Sequence, residues 1–127
     1  MSTKNIIVTQ ITNFIDELIN TYPDNNELVL FREKYNLLKS ANSQLIINYF
    51  IQYIYPHKDI IKKEDEQFFL EGGGQEELND KNGLKFRDNM KQLWTQNMSE
   101  ENKKIVWKYF KTFILLIDKY IVENAGK

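Results

Sequence analysis

The chain contains no cysteine in its 127 residues. This absence excludes a disulfide framework, a thiolate metal site and a cysteine nucleophile, and an intracellular setting fits it. Arginine and histidine are almost as scarce, since Arg32, Arg87 and His57 are the only examples. The formal net charge is -1, whereas a protein that mainly binds phosphate backbone needs a clear surplus of lysine and arginine. The composition therefore does not favour nucleic acid as the main partner.

Long hydrophobic runs are also absent. No segment approaches the roughly 20 apolar residues that a transmembrane helix needs, so no membrane partner is predicted. Residues 1–5 lead into an amphipathic pattern, and we do not expect them to form a secretory signal. Apolar residues nevertheless make up 42% of the chain, which is enough for a packed core. We expect one domain over residues 1–127, because a chain of this length seldom forms two cores.

Apolar residues recur at intervals of three and four, the spacing of one helix face, in several segments that are separated by polar or proline-bearing breaks. This pattern predicts an all-α, single-domain irregular bundle of about five or six helices with a central C-terminal helix. The apolar positions are Ile7, Ile11, Phe14, Ile15, Leu18 and Ile19 in the first segment, Leu28, Phe31, Tyr35 and Leu38 in the second, Leu45, Ile46, Tyr49, Phe50, Tyr53 and Ile54 in the third, and Leu84, Phe86, Met90, Leu93 and Trp94 in a later one that ends near Asn97.

The last helix has the clearest start signal. Ser99 is a good N-cap, and Glu100 and Glu101 fall in the first turn, where the helix dipole favours negative charge. Its apolar residues cover about half of the circumference, so we expect it to contact several helices at once. Trp94 and Trp107 are accordingly predicted to pack in the core. The apolar positions are Ile105, Val106, Tyr109, Phe110, Phe113, Ile114, Leu116, Ile117, Tyr120 and Ile121.

No recognised catalytic motif occurs in the sequence. A serine–histidine–acid triad would need His57, yet no serine lies in a Gly-x-Ser-x-Gly turn. We expect His57 to interact with free carbonyls at a helix end. The acids Asp59, Glu64, Asp65 and Glu66 do not have the spacing of a calcium loop and are predicted to form a solvated turn. The protein is therefore predicted to be no enzyme and to need no cofactor or metal.

The connection before the last two helical segments attracts most functional interest. Three consecutive glycines make regular structure costly, so we predict a flexible acidic loop at about residues 71–83. Phe68, Phe69 and Leu70 precede that loop and allow two interpretations. They fold back and close the bundle, or they dock onto a partner protein from a mobile segment. The two interpretations predict different exposure.

Charge is unevenly distributed along the chain. Residues 57–83 carry four lysines and eight acids, whereas residues 84–127 carry nine basic residues and five acids. This asymmetry predicts an acidic and a basic side. Lys104, Lys108 and Lys111 in the last helix are candidates for contact with nucleic acid or an acidic partner, although lysines opposite an apolar face commonly form a solvated surface.

Three stretches carry a family resemblance. They are Phe14-Ile15-Asp16-Glu17-Leu18-Ile19 with Tyr22-Pro23, then Ile60-Ile61-Lys62-Lys63-Glu64-Asp65-Glu66-Gln67-Phe68-Phe69, and finally Leu93-Trp94 with Ser99-Glu100-Glu101-Asn102-Lys103 and Ile105-Val106-Trp107-Lys108-Tyr109. Over most of its length the chain resembles a set of small proteins of unknown activity from nucleocytoplasmic large DNA viruses, the giant viruses. The resemblance implies a viral setting, in the host cytoplasm or the virion, and no particular activity.

Two functional hypotheses follow. The first is a non-enzymatic viral helical protein that acts by contacting another protein, in the virion or the viral factory. The alternative is a nucleic-acid-associated accessory protein that uses the lysine face of the last helix. A homo-oligomer is compatible with either hypothesis.

Overall fold

A computed structural model describes residues 2–72, 79–96 and 98–125. Within these residues the chain forms seven α-helices and one 3₁₀ turn, without any strand, which confirms the predicted all-α fold. Two of the helices, α4 and α5, are only about one turn long. The elements are α1 Thr3–Thr21, α2 Asn26–Ala41, α3 Gln44–Tyr53, the 3₁₀ turn Tyr55–His57, α4 Lys58–Lys62, α5 Gln67–Leu70, α6 Phe86–Thr95 and α7 Glu100–Asn124.

Helices α1 and α7 form an antiparallel pair along their full length. At one end the Thr3 hydroxyl donates a hydrogen bond of 2.9 Å to the Glu123 carboxylate. At the other end the Asn102 side-chain amide donates a hydrogen bond of 3.5 Å to the Tyr22 hydroxyl. Between these ends the core side of α7 packs against α1, and α7 also contacts α4. The predicted central position of the C-terminal helix is confirmed.

Capping side chains set the starts of two long helices. The Asn25 side chain accepts a hydrogen bond of 3.1 Å from the Leu28 amide at the start of α2. The Ser99 hydroxyl accepts one of 3.1 Å from the Asn102 amide, which confirms the predicted N-cap of α7. Each contact satisfies an amide that has no partner within its helix.

Helix α6 is shorter than its sequence pattern indicates. It begins at Phe86, and the preceding Lys85 has the left-handed φ of 52°, which interrupts helical geometry. Leu84 lies before the helix and is nevertheless buried. Its position in the apolar pattern therefore indicated burial correctly, although the residue is not helical. The C-terminal end at Thr95 falls two residues before the predicted end.

Each of the seven helices contributes at least one side chain to a single buried cluster. The predicted faces of α1, α2 and α3 supply about half of its aliphatic part, and Trp94 and Trp107 are buried as expected. Ile105 and Ile121 depart from the prediction, because each is 37% exposed. Both residues lie at the edges of the apolar half of α7, where no neighbouring helix covers them completely.

The predicted flexible loop at about residues 71–83 falls largely on residues 73–78, which lie outside the described residues. The described residues on either side form ordered turns. Gly72 has a φ of 67°, and its amide donates a hydrogen bond of 3.1 Å to the Phe69 carbonyl. On the far side, the Asp80 carboxylate accepts a hydrogen bond of 2.7 Å from the Leu84 amide.

Candidate functional site

The structure distinguishes between the two interpretations of Phe68 and Phe69. Both rings are completely buried, and the Phe69 ring stacks on Trp94 with a centroid separation of 4.4 Å. Burial of each ring stabilises the fold by roughly 1.5–3 kcal/mol, so the docking role predicted for them is corrected: they close the bundle as core residues. Leu70 is partly exposed, and its contact with a partner stays a prediction.

Arg87 holds α5 in place, a role that the sequence did not reveal. Its side chain is buried, and its Nη2 donates a hydrogen bond of 2.8 Å to the Phe68 carbonyl. The guanidinium also lies over the Phe68 ring at 4.3 Å from the centroid. Stacking on an aromatic ring suits the planar, weakly hydrated guanidinium.

His57 belongs to the same cluster. Its Nε2 lies 3.2 Å from the Arg87 Nη1. Because a guanidinium nitrogen can only donate, the His57 Nε2 acts as the acceptor in this contact. We expected His57 to interact with free carbonyls at a helix end. The structure shows in addition its contact with Arg87, which links the 3₁₀ turn to α6.

The lysines of α7 fall into two groups. Lys111 forms an ion pair with Glu64, and the Lys103 ammonium lies 3.3 Å from the Glu66 carboxylate. The acidic segment therefore lies partly against the basic helix, which corrects the prediction of separate acidic and basic sides. Lys104 and Lys108, by contrast, are exposed and form no ion pair with any residue that the structure describes.

A stripe along the outside of α7 combines basic and aliphatic side chains. Successive steps of 100° place its five members within about 60° of the helix circumference. Its aliphatic members are unusually exposed, at 66% for Leu115 and 74% for Val122. We call this stripe the α7 outer face, and its members are Lys104, Lys108, Leu115, Lys119 and Val122; the exposed Glu101 of the first turn falls on the same arc.

An apolar groove runs beside the α7 outer face, between α1 and α7. One part of it is a small depression of about 20 Å³, whose apolar lining includes Leu18, Met98 and Ile105. The groove continues into a larger depression of about 330 Å³ that reaches Lys108. Because Ile105 lines both depressions, they form one feature, which we call the α1–α7 groove.

A tyrosine–glutamate contact spans this groove. The Tyr109 hydroxyl donates a hydrogen bond to the Glu17 carboxylate. Burial, together with the neighbouring negative charge of Glu17, raises the pKa of Tyr109 to about 12. This hydrogen bond holds the Glu17 carboxylate at the edge of the groove.

A larger cleft of about 640 Å³ separates α2 from α6. Side chains of both charges line it, among them Glu27, Lys34 and Lys91. The Lys34 ammonium donates a hydrogen bond of 3.0 Å to the Gly83 carbonyl across one end. This mixed lining does not select a ligand of one charge. The α1–α7 groove differs because it joins an apolar floor to an edge where Lys108 lies near Glu17.

Comparison with protein-family models, curated protein sequences and solved structures finds no match to this chain. The resemblance to giant-virus proteins therefore stays a prediction. In the described ranges no helix has both the length and the hydrophobicity of a bilayer-spanning segment. Those same ranges contain no cluster of three or more histidine or acidic side chains arranged to hold a metal ion.

Proposed function

We propose that this protein acts without catalysing a reaction, by binding an acidic partner protein through the α7 outer face and the α1–α7 groove. The observation that carries the proposal is the exposure of Leu115 and Val122 one heptad apart, in line with the lysines of the same face. A partner helix with acidic and aliphatic side chains in the same repeat matches this face in both charge and shape. In the viral setting that the resemblance implies, the partner is another protein of the virion or the viral factory.

The groove supplies an anchor point next to the lysines. Ile105 forms its edge and is 37% exposed, so an aliphatic side chain of the partner gains contact there without displacing the core. Lys108 reaches the same groove and is placed to meet an acid that neighbours this anchor. Apolar anchors in small pockets contribute most of the free energy of typical protein interfaces, and the surrounding charges mainly contribute specificity.

Nucleic acid is the weaker alternative on this surface. Of the three lysines predicted to contact phosphate, Lys111 is already paired with Glu64. The remaining lysines share their face with Leu115 and Val122, which gain nothing from a phosphate backbone. A binding site for nucleic acid typically concentrates basic residues without such aliphatic interruptions.

A titration monitored by ¹⁵N NMR tests the proposal. The probe is a synthetic helical peptide that repeats glutamate and leucine in heptad register, and a single-stranded oligonucleotide serves as its rival. We expect the peptide to shift the amide signals of Ile105, Lys108 and Leu115. The substitution Leu115→Ser should weaken peptide binding about tenfold, which corresponds to about 1.4 kcal/mol.

Leu37→Ser is the matched control, because Leu37 lies on a different helix and is 73% exposed, close to the 66% of Leu115. It should leave peptide affinity unchanged. Absence of peptide binding to the α7 outer face overturns the proposal. The nucleic-acid alternative is established instead if the oligonucleotide binds more tightly than the peptide and its affinity falls steeply with salt. That affinity should also be weakened by Lys104→Ala, Lys108→Ala and Lys111→Ala.

A further inference from the structure

The outer side of α2 presents two leucines that the fold leaves uncovered. Leu30 is 64% exposed and Leu37 is 73% exposed. They are seven residues apart, so they lie nearly in line along the helix, about 10.5 Å from one another. Both side chains point away from the core side of α2, which contains Leu28, Phe31 and Tyr35.

Two opposite charges flank this pair of leucines. At 100° per residue, Glu33 lies about 50° to one side of the line that joins Leu30 and Leu37, and Lys34 lies about 50° to the other side. The Lys34 ammonium donates to the Gly83 carbonyl at 3.0 Å, so the Lys34 side, which also carries Glu27 one heptad earlier, faces α6. We call these four residues the α2 ridge.

We infer that the α2 ridge binds a second copy of this chain, with the two α2 helices side by side and parallel about a two-fold axis. In that arrangement Leu30 meets the partner's Leu30, and Leu37 meets the partner's Leu37, on the axis. The two-fold axis also places the Glu33 side of one ridge against the Lys34 side of the other. Glu33 therefore faces Lys34 of the partner subunit, and the same pair forms again on the opposite side.

Charge distinguishes this arrangement from the antiparallel one. A two-fold axis perpendicular to α2 would place Glu33 opposite the partner's Glu33 and Lys34 opposite the partner's Lys34, so like charges would repel. Lys34 can take part without losing its present contact. An ammonium has three donors, and the Gly83 carbonyl occupies only one of them.

This inference is independent of the proposed function, because it uses another helix and another partner. The α7 outer face is less suited to pair with itself, since three lysines share that arc of α7 with one acid, Glu101. An interface built on one helix is small, and we expect weak dimerisation with a dissociation constant on the order of 10 to 100 µM. Such a dimer leaves the α7 outer face of each copy available.

Sedimentation equilibrium of the full chain, over about two decades of concentration around that value, measures the association. We expect Glu33→Lys and Lys34→Glu each to weaken dimerisation about tenfold, because each replaces two attractions by two repulsions. The double variant, which exchanges the two charges, should restore wild-type dimerisation. Leu30→Ser and Leu37→Ser should each abolish dimerisation, whereas the control Leu115→Ser should not change it. Unchanged circular dichroism shows that the variants fold.

Orientation needs a second measurement. Because the chain has no cysteine, Ala41→Cys introduces one labelling site for a nitroxide in each copy. The two labels are about 20 Å closer along the helix axis in the parallel dimer than in the antiparallel one. The inference is overturned if the protein is a monomer at all concentrations or if the charge exchange fails to restore dimerisation. It is also overturned if the distance between the two labels is the longer one expected for the antiparallel dimer. Restoration together with the short distance supports it.

Discussion

At the scale of single residues, Tyr35 shows how burial controls ionisation. The ring is buried, and its hydroxyl lies 2.9 Å from the Thr12 hydroxyl and 3.3 Å from the Val8 carbonyl. Burial is the main cause that raises the pKa of Tyr35 from 10.0 to about 12. The folded state therefore holds this proton more tightly than the unfolded state does.

This difference predicts a loss of stability in alkali. Below about pH 10 the hydroxyl is protonated in both states, and the stabilisation is fully present. Between about pH 10 and pH 12 only the unfolded chain loses the proton, so the free energy of unfolding falls as the pH rises. For Tyr35 the fall approaches about 2 to 3 kcal/mol. Urea unfolding at about pH 9 and pH 11.5 measures it.

The variant Tyr35→Phe isolates the contribution of this hydroxyl. It should lose about 1 kcal/mol at neutral pH with the hydrogen bond, and it should lose less than the wild type between the two alkaline conditions. Tyr109 has a similar pKa of about 12, so some alkaline loss remains in the variant. An identical alkaline loss in both proteins would contradict the assignment to Tyr35.

At the scale of helices, the start of α7 rests on one hydroxyl. The Ser99 hydroxyl accepts the Asn102 amide proton, and we expect Ser99→Ala to lower the free energy of unfolding by about 1 kcal/mol. Ser99→Asp should retain most of the stability, because a carboxylate also accepts this bond and suits the positive end of the helix. Thermal and urea unfolding at neutral pH compare the variants.

Ser43 provides the control for this prediction. It occupies the same position before α3, but its side chain makes no capping hydrogen bond. Ser43→Ala should therefore change stability by less than about 0.5 kcal/mol. Equal losses for Ser43→Ala and Ser99→Ala would show that the substitution acts through something other than the capping bond.

Periodicity predicted the long helices well but not the short ones. Segments of ten or more residues, such as α1 and α7, repeat their apolar spacing often enough to identify both the helix and its buried face. Helix α5 has four residues, too few for any period to be visible. The same limitation left Phe68 and Phe69 open to two interpretations, which only their contacts with α6 and α7 distinguish. Arg87 was missed because a buried arginine is rare and has no sequence signature.

At the scale of the whole molecule, contacts between distant segments determine the candidate site. The sequence identified Lys104 and Lys108 as exposed, because they lie opposite the apolar half of one helix. It could not identify the α1–α7 groove, which exists only where Leu18 of one helix lies beside Ile105 of another. It also could not show that Glu64 reaches Lys111, since 47 residues separate them.

Aromatic rings join the distant helices into one core. Phe14 of α1 lies 5.5 Å from Phe110 of α7, and Phe110 lies 5.1 Å from Phe69 of α5, measured between ring centroids. Phe50 of α3 and Phe86 of α6 are joined in the same way at 5.2 Å. A network of this kind makes each helix depend on the others, so we expect all of them to unfold in one cooperative transition.

Phe69→Ala tests this cooperativity. Loss of the ring opens a cavity beside Trp94 and Trp107, which should lower the free energy of unfolding by about 3–5 kcal/mol. Tryptophan fluorescence reports on this cavity, whereas far-ultraviolet circular dichroism reports on all helices, and both should show the same lowered midpoint in urea. Leu115→Ala is the control and should shift the midpoint little, because Leu115 is exposed. A fluorescence transition well before the loss of helix would instead show that the packing around Phe69 unfolds independently of the α1–α7 pair.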